Sequence, residues 1–213
     1  MKDVLESFRS VHSTLKRKGV KTQMNLCIAV SGTCSLAKAA LQSGVRGLIV
    51  ADRPCKGEEV ARQFDCPFEL VPRIFGSSFD RLEYTLRFIK TLRKHDRDSV
   101  FMMGFNTILH AVMFTKENFL WRITNSHPAL LPLFPGHYAV RDTLTAGVTE
   151  TGCTIHHATE VMDDPRYIIA QEKVPVLSGD NVDTLWERIK VAERALYPKV
   201  ISAFVPGAAP VAA

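Results

Sequence analysis

Asn25-Leu26-Cys27-Ile28-Ala29-Val30-Ser31-Gly32-Thr33-Cys34-Ser35 is the stretch that decides the fold. Residues 25–30 form a short, nearly unbroken apolar run, the pattern of a strand covered on both faces. Residues 31–35 then turn the chain into a helical stretch reaching about Gly44. The unit recurs downstream. Residues 47–50 read as a second strand and 58–64 as a helix. Residues 68–71 read as a third strand and 78–95 as a long helix. Residues 99–103 and 121–125 read as a fourth and a fifth strand. Strands alternating with helices imply right-handed crossovers and a mainly parallel sheet. Ligands of such sheets bind beyond the carboxyl ends of the strands, which singles out the loops 31–35, 104–109 and 125–136.

The second half changes character. Residues 151–159 and 168–176 read as two longer antiparallel strands joined by a polar turn over 160–166. Asp180 and Asn181 cap a final helix running to about residue 203, with Pro198 expected to interrupt it. The predicted fold class is therefore α/β, a Rossmann-like sheet with helices on both faces and an antiparallel addition in its second half. Residues 24–204 form one domain in this reading. They follow an extension over 1–23, in which Val4, Leu5, Phe8, Val11 and Leu15 space an amphipathic helix over 2–17, and precede a disordered tail over 205–213.

Composition narrows the function. The chain has 213 residues, 46% hydrophobic and 23% charged, the balance of a folded domain. No apolar run reaches the about 18 residues a spanning helix needs. Asp3 and Glu6 stand where a signal peptide would be apolar, so a cytoplasmic protein is expected. The five cysteines, Cys27, Cys34, Cys55, Cys66 and Cys153, are odd in number and form no C-x-x-C, which reads as free thiols in a reducing compartment. Net charge is +5, but residues 1–23 hold six basic side chains against two acidic ones, so the body is close to neutral. It has no basic stripe interleaved with aromatics, and no nucleic-acid or membrane partner is expected.

The densest chemistry lies in Asn-Ser-His-Pro-Ala-Leu-Leu-Pro-Leu-Phe-Pro-Gly, 125–136. Asn125 and His127 are two apart at a strand end, so their side chains share one face. An amide beside an imidazole suits an oxyanion that develops during acyl transfer. The plainer reading is that His127 caps a neighbouring carbonyl. Asp163, in the turn between the later strands, would raise the pKa of a nearby His127 or take a proton through water. Its plainer reading is a turn residue before Pro165. His156 and His157 alternate across a strand, so they are not a metal pair, and no metal site is expected.

Together these segments resemble a known family. S-G after the first strand, G-F-x-x-I-L at 104–109, N-x-H-P-x-L-L-P-x-x-P-G at 125–136, G-x-T-x-H at 152–156, Asp163, and E-x-x-L-Y-P-x-V-I at 193–201 are similar to the glycinamide ribonucleotide transformylases. The resemblance implies formyl transfer from 10-formyltetrahydrofolate, without a metal, to a primary amine, glycinamide ribonucleotide in purine biosynthesis. It implies Asn125, His127 and Asp163 as catalytic, with Asp163 acting on His127 through an ordered water. Gly104, Phe105, Asn106, Thr107, Ile108 and Leu109 would line the pterin pocket, Val161 and Met162 would close it, and Arg81 would meet the glutamate carboxylate. Gly32, Thr33, Cys34 and Ser35 would cradle the substrate phosphate, with Lys190 sharing that role and Glu193 accepting from ribose hydroxyls.

Three departures accompany the resemblance. The family's first loop, S-G-x-G-S-N-L, is Ser-Gly-Thr-Cys-Ser-Leu here; a usual arginine is Thr107; and a Gly-Gly after the catalytic acid is Asp164-Pro165. The same motifs also fit an N-formyltransferase acting on a nucleotide sugar or a hydroxyornithine-like amine, a formyltetrahydrofolate hydrolase, or a silent folate-binding protein. A monomer or a homodimer is expected.

Overall fold

A computed structural model describes residues 25–204; the expected extension helix and the expected tail lie outside the described residues. The elements in chain order are β1 (Leu26–Val30), α1 (Ser35–Gln42), β2 (Leu48–Ala51), α2 (Gly57–Gln63), β3 (Phe68–Leu70), α3 (Arg81–Lys94), β4 (Ser99–Met102), β5 (Ile123–His127), α4 (Ala139–Thr145), β6 (Glu150–His157), β7 (Ile168–Pro175) and α5 (Val182–Phe204). The strands form one seven-stranded sheet in the order β3-β2-β1-β4-β5-β6-β7. β1 to β5 are parallel, and β6 and β7 add antiparallel.

The apolar run of β1 buries every side chain because both faces of the sheet are covered. Leu26, Ile28 and Val30 face a core built with α1, α2 and α5; Cys27 and Ala29 face one built with α3. α3 starts at Arg81 because the Asp80 carboxylate accepts a hydrogen bond from the Glu83 backbone N–H at 2.9 Å, three residues inside the longer helix the sequence predicted.

Two boundaries correct the sequence reading. β5 runs to His127, so Asn125 and His127 both lie within the strand, and Pro128 ends it. α5 continues through Pro198. A proline inside a helix forfeits a backbone hydrogen bond and costs about 3 kcal/mol. Here the flanking Leu196, Tyr197, Val200 and Ile201 are all buried. Their packing holds the helix together past the defect. Tyr197 also donates its hydroxyl to the Met102 carbonyl at 3.1 Å and sits edge-on to Phe101, which ties the last helix to β4.

None of the described helices is long and apolar enough to cross a membrane.

Candidate active site

Antiparallel pairing of β5 with β6 builds the centre of the site. It sets Asn125 opposite His156 and His127 opposite Thr154. The two strands thus bring an amide and two imidazoles to the carboxyl end of the parallel sheet. The Asn125 amide nitrogen lies 3.4 Å from His156 Nε2. Asp163 enters from the β6–β7 connection with φ 52°, a left-handed backbone that aims its side chain inward. One carboxylate oxygen lies 3.3 Å from His127 Nδ1, and the other 3.5 Å from His156 Nε2. The Gly136 N–H donates to the first oxygen at 2.7 Å. Asp163, His127 and His156 are all buried.

The electrostatics follow from this packing. Burial pushes the Asp163 carboxyl upward, but its hydrogen bond to His156, the nearby His127 and the Gly136 N–H outweigh it, so the pKa ends below the ordinary value. Burial lowers the pKa of His127 although Asp163 raises it. Asp163 pulls the pKa up, as the sequence reading had it, and desolvation outweighs that pull. The His127 ring is pinned at both nitrogens. Nε2 lies 2.8 Å from the Phe134 carbonyl, to which it donates, leaving Nδ1 turned to Asp163. The carbonyl-capping reading and the catalytic reading of His127 therefore describe opposite edges of one ring. His127 Nδ1 and the carboxylate stand 3.3 Å apart, within ion-pair reach.

His156 was missed as a site residue. Its signal was present in G-x-T-x-H, where Thr154 and His156 share a strand face. Thr154 donates to the Ala129 carbonyl at 2.6 Å and accepts from the Leu131 N–H at 3.1 Å. Gln171 on β7 donates to the Leu131 carbonyl at 2.9 Å. The loop that carries the Phe134 carbonyl and Gly136 is thus stapled to the antiparallel strands.

The 104–109 segment alternates. Phe105 and Leu109 are buried in the α3-side core, while Gly104, Asn106 and Ile108 are exposed. Thr107 turns inward and donates its hydroxyl to the fully buried Asp52 at 2.6 Å. The Asn106 N–H donates to Ser31 Oγ at 2.8 Å, which ties this loop to residues 31–35. Val161 and Met162 expose about half their surfaces, 51% and 50%, close in sequence to the buried Asp163 carboxylate. Together the segment and this pair offer backbone groups and apolar walls of the kind a flat heteroaromatic ring needs. Arg81 lines a cavity together with Arg53, Arg73 and, from the 104–109 segment, Asn106 and Ile108.

In the first loop, Gly32 and Thr33 are exposed and Cys34 is buried. Cys34 adopts φ 57° at the N-cap of α1, gives that helix no side-chain cap, and donates its thiol to the Gly32 carbonyl at 3.2 Å. Burial pushes this thiol up to about 12, so Cys34 is a lining residue and no nucleophile at neutral pH. Ser35 opens the helix.

Glu193 and Lys190 part company. Glu193 is 8% exposed and, held up by burial, has a pKa of about 7 despite a hydrogen bond to Ser126. Lys190 pairs with Glu187 at 2.7 Å and lies 5.3 Å from the centre of the Trp186 ring. Lys190 thus pairs with the carboxylate one turn earlier on the helix, Glu187, and not with Glu193 one turn later.

Burial of Glu193 makes a stability prediction. Its pKa is higher folded than unfolded, so the folded state holds the extra proton between pH ~4.5 and ~7, and ionisation above that range opposes folding. Between pH 5 and pH 8 the wild-type unfolding free energy should fall relative to Glu193→Gln by up to about 3 kcal/mol. Thermal melts of both proteins at the two pH values check this, and parallel curves would contradict it.

Comparison with known proteins adds the chain's relatives. A formyl transferase family model matches residues 24–201. Phosphoribosylglycinamide formyltransferase of Mycobacterium tuberculosis is 37% identical over 184 residues, covering 84% of this chain and 83% of that protein. The Escherichia coli protein of the same name is 32% identical, covering 86% of this chain and 88% of its own length. The crystal structure of phosphoribosylglycinamide formyltransferase from Anaplasma phagocytophilum superposes with a TM-score of 0.73 at 32% identity, covering 84% of this chain and 85% of that one.

Proposed function

Because this chain belongs to the phosphoribosylglycinamide formyltransferases of the formyl transferase family, we propose that it transfers a formyl group from 10-formyltetrahydrofolate to the primary amine of glycinamide ribonucleotide, a step of purine biosynthesis. The observation that carries the reading is the Asp163 carboxylate set between His127 and His156, with Asn125 alongside. Folate supplies the formyl group to be transferred. The segment 104–109, with Val161 and Met162, suits its pterin ring. Thr33, Ser35 and the backbone amides of Gly32 and Cys34 at the start of α1 suit a phosphate. Glu193, reached from the same side of β5 as Ser126, suits ribose hydroxyls.

The residues divide the chemistry as follows. The Asn125 amide donates to the formyl oxygen as charge develops on it, a contribution typically worth ~2.7–4 kcal/mol of barrier. Asp163, ionised, attracts the proton of the attacking amine, and His127 Nδ1 shares that proton with it. The Phe134 carbonyl holds the His127 ring in the tautomer that leaves Nδ1 facing the carboxylate. A carbon–nitrogen bond forms to the acceptor amine and one to the folate nitrogen breaks. The amine's proton ends on that departing nitrogen, so the site returns to its starting state. Burial of Asp163, His127 and His156 limits the access of water to the formyl carbon.

The test is consumption of 10-formyltetrahydrofolate followed by the absorbance of released tetrahydrofolate, with and without a panel of amines. Turnover should require glycinamide ribonucleotide. Equal turnover without any amine would make the protein a hydrolase. Preference for a nucleotide sugar or a hydroxyornithine-like amine would keep the chemistry and change the acceptor. Tight folate binding with no turnover on any amine would leave a silent binder.

A further inference from the structure

The turn that carries Asp163 is tied down on both limbs. On the near limb the Thr159 hydroxyl donates to the Val161 carbonyl at 3.0 Å and accepts from the Val161 N–H at 3.2 Å. On the far limb Asp164 and Pro165 stand where the family's pattern has Gly-Gly. Pro165 fixes its own φ and opens one tight helical turn, Pro165–Tyr167. The Asp164 carboxylate caps that turn by accepting from the Arg166 N–H at 3.0 Å. It also takes the Arg166 guanidinium in a two-pronged grip, Nε to Oδ1 at 2.9 Å and Nη2 to Oδ2 at 2.6 Å. The grip reaches inward from the surface, since the Arg166 side chain is 69% exposed and that of Asp164 only 3%.

An aromatic brace lies outside this clasp. The Arg166 guanidinium is 5.3 Å from the centre of the Tyr167 ring. The Trp121 ring meets the Tyr167 ring edge-on at 4.6 Å and the His157 ring at 6.2 Å. Trp121 stands shortly before β5 with φ 63° and is 42% exposed. A bulky residue in left-handed backbone is strained, and such strain persists where the side chain has work to do. Contact thus runs unbroken from the start of β5 through Trp121, Tyr167 and Arg166 to Asp164, the neighbour of Asp163. A Gly-Gly pair at 164–165 would offer neither the carboxylate nor the fixed φ, and the turn would have more conformations open to it.

We propose that Asp164, Arg166, Tyr167 and Trp121 are positioning residues, which hold Asp163 between His127 and His156 before any ligand arrives. The inference rests on the folate reading above, in which Val161 and Met162 of the same turn close over the pterin, and names the residues that keep the turn ready for it. With the turn held, the co-substrate binds without a cost for ordering it. With the turn loosened, only a fraction of the molecules is competent. The apparent affinity then falls by that fraction, while the bound enzyme stays fully active.

Two variants test this. Arg166→Gln removes the charged grip at an exposed position, and Trp121→Gly removes the brace at a backbone angle that glycine prefers. Both should melt within about 4 °C of wild type. The Gly136 N–H donates to the Asp163 carboxylate, so its deuterium exchange in the ligand-free protein reports whether that carboxylate is in place. Exchange at Gly136 should quicken about tenfold in each variant. In steady-state kinetics the KM for 10-formyltetrahydrofolate should rise about five- to tenfold, with kcat at saturation and the KM for the amine within about twofold of wild type. Wild-type exchange and kinetics in both variants would overturn the proposal. A fall in melting temperature that parallels the loss of activity would also overturn it, by leaving these residues a role in the fold alone. So would a lower kcat at unchanged KM. If 10-formyltetrahydrofolate neither binds to the wild type nor turns over, the folate reading falls, and the Gly136 exchange rates still decide whether these residues hold Asp163.

Discussion

Asp163→Asn should lower kcat for formyl transfer by about a thousandfold, within the ~10²–10⁴ range of a general acid–base group. The change is nearly isosteric. The amide oxygen can still accept from the Gly136 N–H, and the left-handed backbone at φ 52° suits asparagine as well as aspartate. What disappears is the negative charge between two buried imidazoles. Without it only the bond to the Phe134 carbonyl opposes burial at His127, whose pKa falls further, and His127 Nδ1 alone is left to draw the amine's proton. The 104–109 segment proposed to hold folate does not include this side chain, so co-substrate affinity should stay close to wild type. Steady-state kinetics with a parallel binding titration decide the matter. A kcat near wild type would take Asp163 out of the mechanism, and a matching loss of affinity and folding would make it a structural residue.

Gly152→Ala should destabilise the fold by about 3 kcal/mol. A Cβ on Gly152 would collide with the Glu172 carbonyl oxygen and stand 2.7 Å from Leu130 Cδ2. The first obstacle is backbone in the neighbouring strand, so no rotamer change relieves it, and β6 and β7 must move apart. Thr154 and His156 follow on the same strand face and would be carried with it, so activity should fall along with stability. Urea unfolding gives the first effect and turnover at permissive temperature the second. An unchanged unfolding midpoint would show that the sheet yields more easily than its hydrogen-bond register implies.

The parallel half of the sheet was legible because its signals are local. Leu26–Val30 is apolar throughout, and only a strand buried on both faces supports such a run. The site was legible in part for the same reason, since Asn125 and His127 lie two residues apart on one strand. Other features depend on contacts between distant segments. His156 joins the site through strand register, and no spacing within its own segment shows that it meets Asn125. Arg53 and Arg73 are twenty positions apart in the numbering and converge because the turn after β3 bonds back to Asp52. The sequence displays the charge that raises the His127 pKa and hides the depth of burial that lowers it further. Lys190 has two carboxylates within one helical turn, and its choice of Glu187 over Glu193 follows from the burial of Glu193.

The bond from Tyr197 to the carbonyl at the end of β4 sets an order on how a newly made polypeptide can mature. The strand bearing Asn125 and His127 is translated long before α5, yet the underside of the sheet is sealed only when that final helix arrives. While a nascent chain is still emerging from the ribosome, its central strands lack the cover that keeps them from sticking to other chains. That face of the sheet is fully covered only when α5 packs beside α1 and α2.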